Sequence, residues 1–229
     1  MSRIIKSLDY SHTPAKSAAD ILLEIQAVYI SKNKPFIFTS GRLSPIYVDC
    51  RKIISFPIAR RQLIAMGVEQ LIALNDETAF DMVAGGETAG IPFAAWIADA
   101  FDLPMLYIRK AAKGFGRNVR IEGEVREGAR VLLVEDLATD CVSKISFIDA
   151  IRDAGMQIAH CFVIFEYGVL AKCNSTLQKK RVELHSLCNL SDIVALAKQY
   201  GYTSKELVNV YSFLNDPEEW QSPVKGATV

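Results

Sequence analysis

The chain has 229 residues, enough for one sizeable hydrophobic core but short for two full domains. Half of the residues are hydrophobic and 23% are charged, which excludes a disordered chain or a fibre. Lys plus Arg number 26 and Asp plus Glu number 26, so the formal net charge is zero and a broad basic face for nucleic acid is excluded.

The longest uncharged apolar stretches, 88–98 and 154–165, are too short to span a bilayer, so no membrane association is expected. Residues 1–17 lack the apolar core of a signal peptide. Five cysteines without a CxxC pair fit a reducing compartment better than a disulfide framework. The expected location is cytoplasmic.

In chain order, Ile21, Leu22, Ile25, Val28 and Tyr29 recur at helical spacing and predict an amphipathic helix over 18–30. Thr39-Ser40-Gly41 and Ser44-Pro45 predict a hairpin whose second strand is 46–49. A second helix is expected over 57–74, with Pro57 in its first turn, where a missing N–H has no intrahelical partner. Residues 80–84 read as a strand, followed by Gly85-Gly86-Glu87-Thr88-Ala89-Gly90-Ile91-Pro92 and a helix over 89–100. Those glycines suit either a tight helix entry or backbone N–H groups turned toward an anion.

A strand over 104–108 then leads into 109–120, which holds Arg109, Lys110, Lys113, Arg117 and Arg120, no acid, and glycines at 114 and 116. Such a loop is either a solvated hairpin tip or a mobile lid over a polyanion. Next, Val131-Leu132-Leu133-Val134 is a buried-strand pattern ending in Glu135-Asp136. A turn with Thr139, Asp140 and Ser143 follows, then a helix over 142–154. An ordinary N-capped helix and a phosphate cradle beside two carboxylates are both open readings of this segment. No GxxxxGK[ST] or GxGxxG occurs. Beyond it come a strand over 158–165, an edge strand over 182–187 and helices over 192–200 and 205–214. His160 and His185 sit in apolar runs and read as hydrogen-bonded core histidines, and Cys161 as a small buried hydrophobe. Continuous apolar strands alternating with helices indicate an α/β fold whose mainly parallel sheet is covered on both faces. Ligands of such sheets sit outside the strands' carboxyl ends.

The run of apolar residues, Glu135-Asp136, two residues, Thr139 and a small turn resembles the 5-phosphoribosyl 1-diphosphate (PRPP) motif of type I phosphoribosyltransferases. Arg109-Lys110-x-x-Lys113-Gly114 resembles the catalytic loop of the orotate phosphoribosyltransferases within that family. Ser40-Gly41, Ser44-Pro45 and Tyr47-x-Asp49 resemble their base-recognition hood, and Gly85 to Pro92 their diphosphate loop. The resemblance runs in order from about 18 to 167. It implies a type I phosphoribosyltransferase fold with an N-terminal hood in a single domain. Within it, 18–55 would form the first helix and hood, 56–190 the core, and 191–229 the C-terminal helices.

The resemblance further implies transfer of phosphoribosyl from PRPP to orotate, giving orotidine 5′-monophosphate and diphosphate in pyrimidine biosynthesis. Lys113, Glu135 and Asp136 would be catalytic. Arg109, Lys110, Lys113, Glu135, Asp136, Leu137, Ala138, Thr139, Asp140, Cys141, Val142 and Ser143 would bind PRPP. Glu87, Thr88 and Ala89 would form the diphosphate loop, and Thr39, Tyr47, Val48 and Thr139 would bind orotate. Mg²⁺ would be held through substrate and water near Asp136, without direct protein ligands. A homodimer is implied, with the 109–120 loop reaching the neighbouring site. Some positions depart from the family: Cys141 and Val142 replace Gly or Ala, Ala89 and Thr39 replace Lys, Phe115 replaces His, and Tyr167 replaces Arg. Arg51 and Lys52 are nearby candidates for the orotate carboxylate. Alternatives are a phosphoribosyltransferase for another base and a non-catalytic PRPP-binding regulator of the same fold.

Overall fold

The structure, a computed structural model, describes residues 17–32, 34–38, 41–74, 80–112, 120–168 and 171–220. Helix α1 (Ala18–Glu24) opens on a capping box, in which the Asp20 N–H donates to Ser17 Oγ and the Ser17 N–H donates to Asp20 Oδ2. The helix stops well before residue 30. Gln26 takes a left-handed φ of 55°, and the predicted helix tail is strand β1 (Val28–Ile30). Val28 and Ile30 are β-branched, and their extended form gains a partner strand that the helix would forgo.

Two short strands, β2 (Phe36–Ile37) and β3 (Leu43–Ser44), form the expected hairpin, but with a different second strand. The predicted second strand, β4 (Ile46–Val48), instead pairs antiparallel with β1, in register Val28 to Val48. A 3-10 turn over Cys50–Ser55 leads to α2 (Pro57–Ile72), with Pro57 in its first turn as expected.

The core follows as β5 (Met82–Gly86), α3 (Gly90–Phe101), β6 (Met105–Ile108), β7 (Ile121–Glu122), β8 (Arg130–Ala138), α4 (Val142–Asp153), β9 (Gln157–Glu166), α5 (Ala171–Lys179) and β10 (Glu183–Asn189). The sheet order is β10-β9-β8-β5-β6-β7, parallel throughout except for β7, which returns antiparallel to β6. Successive residues feed opposite faces: Val83, Leu132 and Phe162 join one buried cluster, and Ala84, Leu133 and Val163 join the other. That is why the strands read as unbroken apolar runs. Helix α5 had no counterpart in the sequence reading, because its segment is mostly polar and shows no long apolar stripe.

Helices α6 (Leu190–Ala197) and α7 (Ser204–Asn215) close the chain, joined through a 3-10 turn at Lys198–Tyr200. They brace the N-terminal strands. Tyr202 donates its hydroxyl to the Val28 carbonyl at 2.7 Å, and Arg42 donates to the Pro217 carbonyl at 2.7 Å and pairs with Glu218 at 2.8 Å. The hairpin of β2 and β3 is thereby fixed over the carboxyl ends of the sheet. Among the described residues, no helix is long and apolar enough to cross a membrane.

Candidate active site

A cleft of about 1080 Å³ opens at the carboxyl ends of the strands, roofed by the hairpin. Its wall takes residues from the turn after β5, the end of β8, the turn before α4 and the β2 to β4 region. This is where the rule for open α/β sheets places a ligand.

Glu135 and Asp136 lie within β8, not just beyond it, since the strand runs on to Ala138. Both are buried at the cleft wall. Glu135 pairs with Lys144, a buried residue on α4 whose Nζ lies 3.6 Å from Glu135 Oε2 and donates to the Leu137 carbonyl at 2.5 Å. Among the described residues, Glu135 Oε1 has no hydrogen-bond partner. It packs against Gly86 and Gly90, where a Cβ on Gly90 would lie 2.6 Å from it and 2.5 Å from the Val134 carbonyl. These glycines are needed for close approach to the carboxylate. Burial pushes the Glu135 carboxyl up to about 7, against the pull of Lys144, and also raises that of Asp136.

The turn from Thr139 to Ser143 delivers the N-terminus of α4 to the cleft. Cys141 has φ 62°, so the turn does use the left-handed region that glycine usually fills, here with a side chain present. That side chain forms a disulfide with Cys173 on α5, contrary to the expectation of free thiols; Cys50, Cys161 and Cys188 are free and buried. Cys141 supplies no side-chain cap to α4, and the first-turn N–H groups of such a helix are donors for an anion. The Asp140 carboxylate accepts from the Val142 N–H and the Thr139 hydroxyl, each at 3.4 Å, and so shapes the turn.

On the opposite wall, Glu87, Thr88 and Ala89 lead into α3, and the Glu87–Thr88 peptide is cis. The Glu87 carboxylate accepts from the Lys110 N–H at 2.8 Å, which ties this turn to the start of the basic loop. That loop is the connection of the β6–β7 hairpin. Its base is closed by Arg109 N–H to the Arg120 carbonyl at 2.7 Å, and Arg120 reaches Ser146 on α4 at 2.9 Å. Lys110 lines the cleft, whereas Arg109 stands back from it, paired with Glu122 at 3.6 Å. Lys113 and Phe115 lie outside the described residues, as does Thr39 in the hood.

In the hood, Tyr47 lines the cleft and its hydroxyl accepts from Arg51 at 2.7 Å. Arg51 also faces the cleft, while Lys52 turns away to donate to the Gln26 carbonyl. Val48 is fully buried behind the wall, and its N–H donates to the Tyr167 hydroxyl at 3.2 Å. Tyr167 also donates to the Ile46 carbonyl at 3.3 Å and stacks edge-on against Phe38 at 4.9 Å. Tyr167 thus serves as a strut holding β4 over the cleft.

Of the expected residues that are described, Glu87, Thr88, Ala89, Lys110, Glu135, Asp136, Leu137, Thr139, Asp140, Cys141, Val142, Ser143 and Tyr47 meet at one cleft. Arg109, Ala138 and Val48 do not reach its wall. Sequence reasoning passed over Lys144 and Phe38, both at the cleft. A signal for Lys144 existed: a lysine in a first helical turn opposes the helix dipole and needs a local acid to hold it there.

The Phosphoribosyl transferase domain family matches residues 58–204. An orotate phosphoribosyltransferase of Cereibacter sphaeroides is 49% identical over 93% of this chain and 92% of its own length. Among solved structures, UMP synthase of Leishmania donovani superposes with a TM-score of 0.74 at 26% identity, covering 86% of this chain and 41% of that one. Orotate phosphoribosyltransferase of Aeropyrum pernix gives 0.66 at 26% identity, covering 79% of this chain and 98% of that one. The chain belongs to the phosphoribosyltransferase family and, within it, to the orotate phosphoribosyltransferases.

Proposed function

We propose that this chain transfers the 5-phosphoribosyl group of PRPP to orotate, forming orotidine 5′-monophosphate and releasing diphosphate for pyrimidine biosynthesis. The observation that carries the proposal is the convergence of a helix N-terminus, two buried carboxylates and a backbone turn on one cleft. The α4 first turn takes the 5-phosphate through its N–H groups, with Ser143 beside them. Asp136 and Glu135 take the ribose hydroxyls and favour positive charge at the anomeric carbon as the bond to diphosphate breaks and the bond to the base nitrogen forms. Thr88, Ala89 and Lys110 face the diphosphate, with further charge from Lys113 and Arg109. Tyr47 and Thr139 border the orotate end of the cleft, and Arg51 offers a cation for its carboxylate.

The cleft suits Mg²⁺. Its acids, Glu87, Glu135, Asp136 and Asp140, offer hard oxygen donors, Cys141 is tied in a disulfide, and among the described residues no histidine lines the wall. Asp136 and Glu135 would hold the ion through water, with the substrate supplying the other ligands. When bound, Mg²⁺ supplies charge neutralisation on the departing diphosphate. Closure of the 109–120 loop excludes water from the reacting sugar. We further propose a homodimer, with one protomer's loop covering its partner's cleft, and one catalytic domain comprising hood, core and C-terminal helices.

A base-selectivity assay tests the substrate. With Mg²⁺ and PRPP, orotate should be consumed, and adenine and uracil should not. Turnover confined to another base overturns the substrate, and PRPP binding without turnover of any base overturns catalysis.

A further inference from the structure

We propose that His160, His185 and Glu183 form a binding site for a first-row transition-metal dication of the zinc class, at the pole of the sheet opposite the cleft. The backbone register brings the three together. Strands β9 and β10 pair in parallel, with Glu183 opposite His160 and His185 opposite Phe162. In-register residues of a parallel pair share a face, and residues two apart on one strand share it too. All three side chains therefore project from the face that carries Phe162, whose ring lies against α2 at Gly67. Glu183 is the first residue of β10 and His160 the fourth of β9, so the group sits at the amino ends of these strands. The cleft residues Glu135 and Tyr167 lie at the carboxyl ends.

The geometry is that of a ligand set. One nitrogen from each histidine and one Glu183 oxygen all lie within 4.8 Å of one another. His160 Nδ1 and His185 Nε2 are 3.0 Å apart. With metal–nitrogen bonds of about 2.0–2.1 Å, two such nitrogens are separated by about 2.9 Å at a right angle and about 3.3 Å at a tetrahedral angle. The observed nitrogen spacing falls between these, so the two rings are close enough to share one ion once they turn from facing each other to facing it. Burial is graded: His185 is buried, His160 intermediate and Glu183 exposed, which gives a fixed anchor and an open side for entry and a water ligand.

In the ligand-free chain, one of the facing nitrogens must donate its proton to the other. With metal bound, each ring carries its proton on the nitrogen that faces away. Two imidazoles and one carboxylate favour zinc, cobalt or nickel over magnesium. The site is thereby chemically separate from the all-oxygen cleft, and its occupancy does not depend on the reaction proposed above.

The test uses the untagged full-length chain and Co²⁺ as probe. We expect one equivalent of Co²⁺ to give visible d–d absorption, and Zn²⁺ to abolish it by displacement. Glu183→Gln should weaken Co²⁺ binding by about tenfold or more, and His160→Gln should remove the absorption. Both positions are away from the fully buried core, and circular dichroism verifies that the variants fold. Orotate turnover with Mg²⁺ should be unchanged in Glu183→Gln. Absence of Co²⁺ absorption in the wild-type chain overturns the proposal. So does equal affinity in folded wild-type and variant chains, which would locate the ion elsewhere.

Discussion

The Lys144 ammonium holds two groups of β8 at once: it lies 3.6 Å from Glu135 Oε2 and donates to the Leu137 carbonyl at 2.5 Å. One buried cation thus couples the strand that carries the acidic pair to the helix whose N-terminus faces the cleft. A change in this pair disturbs both the sugar-binding and the phosphate-binding sides of the site. Replacing Lys144 by Met leaves Glu135 buried without its cation, and the carboxyl then takes up a proton; starting from about 7 in the wild type, this adds a loss of about 1.4 kcal/mol at pH 8 that is absent at pH 5.5. Urea denaturation should show a larger loss at pH 8 than at pH 5.5, where Glu135 is protonated. Equal losses at both values would refute the pairing.

Glu135 itself makes stability depend on pH. Its carboxyl is raised from 4.5 to about 7 in the folded chain, so the native state holds the proton more tightly than the unfolded chain does. The stabilisation is complete below about 4.5 and is lost as pH rises through about 7. The stability difference between wild type and Glu135→Gln should therefore fall across that window and level off above it. A difference that grows with pH would contradict the burial argument.

Gly90→Ala tests the close approach of α3 to β8. The new Cβ would meet the Val134 carbonyl at 2.5 Å, and a backbone atom cannot yield as a flexible side chain can. We expect a stability loss of about 1–3 kcal/mol and a raised KM for PRPP, because Glu135 must move. Unchanged stability and KM together would show that the wall is looser than its geometry indicates.

Tyr167→Phe removes the hydroxyl that joins Val48 and Ile46 to the sheet. A buried N–H left without its acceptor costs about 1–3 kcal/mol, or roughly 2–4 °C per kcal/mol for a chain of this size. Differential scanning calorimetry measures it. The KM for orotate should rise while PRPP affinity changes little; the reverse pattern would move Tyr167's influence to the phosphate side.

Reduction of Cys141–Cys173, or Cys173→Ser, frees the turn before α4 from α5. Closing a loop of 32 residues is worth about 2–4 kcal/mol, so thermal unfolding should shift downward by several degrees under reductant. PRPP affinity, followed by calorimetric titration, should fall as well, since the left-handed Cys141 is no longer held. Identical unfolding curves with and without reductant would show that the bond contributes nothing to the fold.

Much of the core was legible because strand and helix periods are local properties of the chain. Val131 to Val134 could only be a doubly buried strand, and α2 and α4 began where Pro57 and the small turn placed them. What escaped depended on long-range pairing. Nothing near Val28 reveals that Val48 lies opposite it, so β1 read as the end of a helix. The same holds for the cleft. Glu135 and Asp136 were visible as an acidic pair, but Lys144, the Gly90 contact and the Cys141–Cys173 bond exist only once α3, α4 and α5 have packed. Resemblance to a family named the phosphate turn; the left-handed cysteine within it required coordinates.

The central claim is that this cleft joins the ribosyl group of PRPP to orotate. The most direct measurement follows orotate absorbance and diphosphate release together in one reaction containing the full-length chain, Mg²⁺ and PRPP. The account predicts equal amounts of orotate consumed and diphosphate released, both abolished by omitting PRPP and both strongly reduced in Lys113→Ala, which should fold as wild type. Tight PRPP binding with neither orotate loss nor diphosphate release would contradict it.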